Sequence, residues 1–277
     1  MTIRRMGLLR GLPEGGASIW DNYWYFNGVN SYLTMPHNAD FDTPNEGRNT
    51  LIVGYRDEYA YTGIGHDSRL VAKTQVGSST ASSPPNGDFG MKLRGGTGLT
   101  RDASYFHHVG GGHHWKGCTV GDYLDGVDTC MLGARSGTPD STFTFTYLDD
   151  VNGTGLLSCN AWTYGTDNFH GTSPLFIGAE QRTDAGYPTI RYYLKGRIYF
   201  VYWIKGMWVG GGWTTILCDP NDNRVPWTDP LYDPATYPTC LLKMEQAVGA
   251  TYTPEIQSGP NAPYVFTVGG TPVLNGP

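Results

Sequence analysis

Phe143-Thr144-Phe145-Thr146-Tyr147 alternates aromatic and polar residues without a break. In a β-strand successive side chains point to opposite faces, so the three aromatics share one face and the threonines the other. One face is then packed and the other wet, as in an antiparallel sheet. Working outward, Phe89-Gly90-Met91-Lys92-Leu93 repeats the alternation. Residues 198–204, Ile-Tyr-Phe-Val-Tyr-Trp-Ile, are apolar at every position and predict a central strand buried on both faces. Leu51-Ile52-Val53-Gly54-Tyr55 has the same character. Shorter strands are expected at 24–26, 31–35, 59–62, 70–74, 129–134, 175–178 and 191–194, and Asn27-Gly28 marks a turn.

The composition agrees. Of 277 residues, 13% are aromatic, 39 are glycine and 18 proline, while only 16% are charged. Aromatic strands separated by Gly/Pro turns give this profile, whereas helices need more Ala, Leu, Glu and Lys. Disorder would call for few aromatics and high net charge. A net charge of −6 argues against a nucleic-acid partner, which requires a concentrated basic surface. Arg4, Arg5 and Arg10 read as a solvated arm. No stretch approaches the ~20 apolar residues needed for membrane insertion. The N-terminal apolar run is broken at Gly7, Arg10 and Pro13, so no signal peptide is expected and synthesis in a cytoplasm follows.

Cys118, Cys130, Cys159, Cys218 and Cys240 are odd in number and lack a CxxC pair, so buried free thiols are expected. The sequon at Asn152-Gly153-Thr154 reads as a plain turn. Residues 77–88 are a Ser/Gly/Pro loop, and 95–117, with glycines at 110–112, also reads as loop. Short helical turns are expected at 213–218 and 239–247. Residues 1–20 form an N-terminal arm, 21–215 the β domain, and 216–277 a Pro/aromatic-rich C-terminal extension. Ten prolines from 220 to 277 break regular structure there, yet Trp227, Tyr232, Tyr237, Tyr252, Tyr264 and Phe266 need cover. That extension should lie against its own sandwich or against a neighbour.

The order of these segments resembles the laminin-G-like, concanavalin A-like jelly-roll family. The carriers are Phe26-Asn27-Gly28 running to Tyr32-Leu33-Thr34-Met35-Pro36, then Asn38-Ala39-Asp40-Phe41-Asp42. Pro174-Leu175-Phe176-Ile177-Gly178 and Leu194-Lys195-Gly196-Arg197-Ile198 follow in the family's order. The likeness covers residues 24–208 and implies an all-β, two-sheet antiparallel jelly-roll sandwich with extended N- and C-terminal arms. It reports fold rather than function, because this sandwich hosts lectins, hydrolases and adhesion modules. In style, the arms and the missing enzyme motif also resemble minor tail proteins of bacteriophages.

The family's hydrolases carry Glu-x-Asp-x-x-Glu on one strand face. No two of the glutamates at 14, 46, 58, 180, 245 and 255 are so spaced. Asp57-Glu58 and Asp149-Asp150 are adjacent pairs, Gly-x-Ser-x-Gly is missing, and Cys118 near His113 and His114 is weak evidence for a nucleophile. No catalytic residue is therefore expected. His107, His108, His113 and His114 surround a glycine run. They read as an unliganded loop, as zinc or nickel ligands, or as sugar contacts beside Trp115. Trp162, Tyr164, Asp167 and Asn168 are further loop candidates. Asp149, Asp150 and Asn152 read as an Asx turn or a calcium site.

The expectation is a non-enzymatic virion accessory protein, a minor tail protein whose lectin-like jelly roll contacts host-surface glycan. His113, His114, Trp115, Trp162 and Tyr164 would touch the ligand, with no metal and no cofactor. Its partners would be other virion proteins through the arms and further copies of itself. A purely structural decoration protein and a glycoside-active enzyme are the alternatives.

Overall fold

The computed structural model describes residues 22–42, 49–58, 67–73, 75–77, 89–95, 100–109, 112–121, 128–135, 141–149, 157–159, 163–164, 173–183, 189–206 and 237–276. The expected N-terminal arm, the strand at 59–62, most of the 77–88 loop and the helical turn at 213–218 lie outside these residues, as does the turn at 150–153. The strands are β1 (Trp24–Asn27), β2 (Tyr32–Met35), β3 (Asn49–Asp57), β4 (Asp67–Lys73), β5 (Gln75–Gly77), β6 (Phe89–Gly95), β7 (Thr100–Val109), β8 (Gly112–Gly121), β9 (Asp128–Arg135) and β10 (Ser141–Asp149). They continue as β11 (Leu157–Cys159), β12 (Thr163–Tyr164), β13 (Leu175–Ile177), β14 (Glu180–Thr183), β15 (Thr189–Arg191), β16 (Lys195–Lys205), β17 (Thr239–Leu242), β18 (Thr251–Tyr252), β19 (Ile256–Ser258), β20 (Phe266–Gly269) and β21 (Val273–Leu274). A single 3-10 turn at Ala39–Phe41 is the only helical element among the described residues.

Two antiparallel sheets form a sandwich. One runs β11-β10-β9-β3-β16-β1-β21, with β12 beside β10 and β17 between β16 and β19. The other runs β18-β20-β2-β13-β4-β6-β7-β8, and a small third sheet is ordered β15-β14-β5. The jelly-roll sandwich that the alternation and the family likeness implied is present.

β16 is central, as its all-apolar sequence predicted. β3 pairs along one side, while β1 and then β17 share the other. The register shifts between Ile198 and Phe200. This bulge puts Tyr199 and Phe200 together in the cluster on the outer face, with Tyr202 and Ile204. Ile198, Val201 and Trp203 go to the core between the sheets. One extra residue thus serves two apolar faces from one strand.

Two expectations are corrected. Residues 95–117 are not a loop: most of them form β7 and β8, an antiparallel pair in unbroken register. Their polar and glycine-rich sequence hides the period of two, and pairing with β6 supplies the order instead. Nor do residues 239–247 hold a helical turn. Thr239–Leu242 is a strand pairing with β16 and β19. A short apolar run cannot distinguish helix from strand without its partner.

The C-terminal residues lie against their own sandwich. β18 and β20 extend one sheet and β17 and β21 the other. Leu242, Met244, Tyr252, Tyr264 and Phe266 are all core side chains at 2% exposure or less. Deleting residues 237–277 is therefore expected to abolish cooperative unfolding and yield aggregated protein. Thermal denaturation followed by circular dichroism, with size-exclusion chromatography, checks this; a folded monomeric truncation would refute it.

Candidate functional site

The described part of the stretch that follows β2 builds a buried polar knot. Asn38 caps the 3-10 turn by accepting from Asp40 N at 2.9 Å. Asp40, 3% exposed, accepts from Tyr264 Oη at 2.9 Å, Asn261 N at 2.8 Å and Asn261 Nδ2 at 2.9 Å. Burial first, then the bond to Asp40, raises the Tyr264 pKa above its ordinary value. Phe41 stacks on Trp203, and Trp203 stacks on Phe89 with ring centroids 4.6 Å apart. Asp42 closes the knot. Its Oδ1 meets the buried Lys73 ammonium at 2.8 Å and its Oδ2 lies 3.7 Å from His37 Nε2.

This knot joins the same end of both sheets. Met35, Leu175, Lys73, Phe89, His107 and His114 follow one another in register across the first. Lys205, Asn49, Arg135 and Phe143 do so across the second. Lys205 Nζ donates to Ala39 O at 3.1 Å, tying the second sheet to the turn.

The candidate ligand residues fall at this end. His113, His114 and Trp115 lie in β8, the edge strand, and Tyr164 in β12 pairs with Ser141 at the start of β10. The edge strands β8 and β11 of the two sheets approach each other. Trp162, Asp167 and Asn168 lie outside the described residues, as do Asp150 and Asn152. The register opposes His107 with His114, His108 with His113 and Phe106 with Trp115. Phe89, a core residue, pairs with His107. The four histidines thus occupy two neighbouring cross-strand positions of one ladder.

Carboxylates are engaged elsewhere. Glu180 pairs with buried Arg69, Glu58 meets Arg197 Nε at 2.8 Å, and Glu255 accepts from Lys243 N at 2.8 Å and from Tyr252 Oη. Cys130 and Cys240 are free and buried, and burial followed by Glu255 pushes the Cys240 thiol well up. Among the described residues no cluster of His, Cys, Asp and Glu side chains is arranged to hold a metal, and no helix is long and apolar enough to cross a membrane.

Lys73 and His37 were missed by sequence reasoning. The available signal was a lone lysine closing the apolar run Leu70-Val71-Ala72.

No protein-family model matches this sequence, and no curated protein does. Solved structures match in shape. A native heptameric SAP-like pentraxin from Limulus polyphemus aligns with a TM-score of 0.50 at 12% identity, over 77% of this chain and 91% of the pentraxin. The full-length tailspike protein 2 from Escherichia coli O157:H7 bacteriophage CAB120 aligns at 0.46 and 12% identity, over 76% of this chain and 29% of the tailspike. The pentraxin match agrees with the jelly-roll sandwich and, at that identity, speaks of fold alone.

Replacing Asp40 by Ala leaves two Asn261 donors without their acceptor and the Tyr264 hydroxyl with only Ser258 O, at 3.0 Å. A loss of about 3 kcal/mol is expected by urea denaturation. Asp42→Ala, which takes a carboxylate from a buried ammonium, should cost a similar ~3 kcal/mol. A loss under ~1 kcal/mol in either variant would show that the knot is not a structural tie.

Proposed function

We propose that the protein is a non-enzymatic, lectin-like jelly roll that contacts a surface glycan through the end carrying β8 and β12. The carrying observation is the register that pairs Phe106 with Trp115 and His108 with His113 in a ladder that includes the edge strand β8. An aromatic surface flanked by imidazole donors and acceptors is the usual chemistry of a sugar site, where a ring stacks and hydroxyls are bonded. His114, Tyr164 and Trp162 belong to the same reading, the last by sequence alone.

The wider role proposed is that of a virion accessory protein, a minor tail component that meets a host surface. Its support is the basic N-terminal stretch and the aromatic, proline-bearing sequence of residues 216–236, both suited by composition to neighbours in an assembly; residues 237–276 complete the sandwich itself. Other virion proteins and further copies of the chain are the proposed partners. A non-enzymatic role is favoured by the engagement of Glu58, Glu180 and Glu255 in structural contacts.

The test is a glycan array probed with tag-free full-length protein, followed by affinity measurement on the best binder with EDTA present. Trp115→Ala is expected to weaken binding about tenfold while leaving the thermal transition in place. An array without binders, alongside incorporation into particles, would replace this reading with that of a decoration protein. Release of reducing sugar would overturn the non-enzymatic reading.

A further inference from the structure

We propose a saccharide-binding surface on the outer face of the sheet that begins β18-β20-β2, built from Tyr32, Tyr193 and the threonines Thr34, Thr267 and Thr251. It shares no residue with the β8 and β12 end and stands whether or not that end binds glycan. Leu33, Tyr252 and Phe266 are core side chains, so alternation turns Tyr32, Thr34, Thr251 and Thr267 outward. Thr251, Thr267 and Thr34 are opposed in register across the three strands, which lie about 4.8 Å apart. Thr251 and Thr267 are exposed, and Thr34, Tyr32 and Tyr193 are half-buried.

Tyr32 pairs with Gly269, and its ring crosses directly over that glycine. A Cβ at Gly269 would fall 2.1 Å from Tyr32 Cζ and 2.4 Å from Cε1 and Cε2. Phe176 and Tyr193 flank the ring, with centroids 5.7 and 6.3 Å away. Tyr32 is thus seated from below and from two sides while part of it stays open to solvent.

Covering a glycine accounts for Tyr32 alone. It does not account for Tyr192, which has φ +56°, a conformation that bulky residues rarely take. Arg69 opposes Lys92, which lies between the core side chains Met91 and Leu93, so Arg69 faces outward. Its guanidinium lies 4.5 Å above the Tyr192 ring, and Tyr193 meets the outward Tyr32. Two successive tyrosines therefore reach one face, where an ordinary strand would divide them. The strained residue is what places Tyr193 beside Tyr32.

Rings beside hydroxyls suit a sugar, whose apolar face stacks and whose hydroxyls both donate and accept. Threonine and tyrosine hydroxyls do the same. Burial first, then Tyr32, raises the Tyr193 pKa, so its hydroxyl stays protonated. The outward residues of β18, β20 and β2 carry no charge, and Arg69 is matched by Glu180. A neutral saccharide fits this surface better than a polyanion.

The test is hydroxyl-radical footprinting, read by mass spectrometry, together with isothermal titration of tag-free full-length protein. The probes are maltohexaose, cellohexaose and mannohexaose, with polygalacturonate as the anionic control. At least one neutral hexasaccharide should bind saturably and protect Tyr32 and Tyr193. Tyr193→Ala should weaken that binding about tenfold and leave the thermal transition in place. Gly269→Ala, which unseats the Tyr32 ring and keeps every hydroxyl, should weaken it comparably. If Gly269→Ala fails to fold, Tyr193→Ala and the footprint decide the matter. Trp115→Ala should leave the protection of Tyr32 and Tyr193 intact, which separates this surface from the β8 end. No protection by any of the three hexasaccharides, protection by polygalacturonate alone, or binding that survives Tyr193→Ala would overturn the proposal. So would concentration-dependent dimerisation abolished by Tyr193→Ala, which would give this face to a second copy of the chain.

Discussion

Three backbone hydrogen bonds run in sequence through the molecule and tie its two sheets together. Gly28 N donates to Leu194 O at 2.9 Å, Leu194 N to Gly178 O at 2.9 Å, and Gly178 N to Leu70 O at 3.0 Å. They link the end of β1 and the start of β16, in one sheet, to β13 and β4 in the other. The geometry leaves no room for side chains. Gly178 has φ +78°, and a Cβ there would sit 2.5 Å from the Phe26 ring. Gly196 has φ +147°, and a Cβ would meet Arg56 O at 2.0 Å. Just before the crossover, Asn27 Oδ1 accepts from Val29, Asn30 and Ser31 N at 2.8, 3.0 and 3.2 Å, so one side chain turns the chain from the first sheet to the second. Buried backbone groups must be paired, and here the pairing itself joins the layers.

That junction explains why separated pieces of sequence resembled a family in concert. Phe26-Asn27-Gly28, Ile177-Gly178 and Leu194-Lys195-Gly196 are far apart in the chain and meet at one place. Each motif was weak alone because each is a third of one structural device. The central position of β16 was equally legible, since a strand apolar at every position must be covered on both faces. What did not show was the bulge at Tyr199, because apolar residues on both faces mask a change of phase.

The C-terminal forty residues were half legible. Their tyrosines and phenylalanine announced a need for cover, and the prolines argued against long elements. Both were true: β18 and β21 are two residues each, yet they finish the edges of both sheets. Trp24 shows the interlock, since its Nε1 donates to Gln246 O at 2.9 Å and its ring meets Tyr252 edge-on. The candidate site was legible in residue type and not in geometry. His107, His108, His113, His114 and Trp115 stood out by composition, but the glycines between them suggested a loop. Only pairing with β6, whose Phe89-Met91-Leu93 alternation was clear, makes strands of the segments that carry them.

The two ends of the sandwich are therefore held by different means, and the difference bears on function. At the junction end, glycines, positive φ and backbone-to-backbone bonds leave little that could vary without breaking the fold. At the opposite end the sheets are tied by side chains: Asp40 to Tyr264 and Asn261, Asp42 to Lys73, and Phe41 to Trp203. A tie made of side chains fixes the scaffold while leaving the adjoining edge strand free in sequence. β8 uses that freedom for histidine, tryptophan and lysine instead of the valine and isoleucine a strand would otherwise prefer. Polar residues on an edge also discourage stray strand pairing, but that need would be met by lysines alone. On the proposed reading, His113, His114 and Trp115 stand at this edge for recognition.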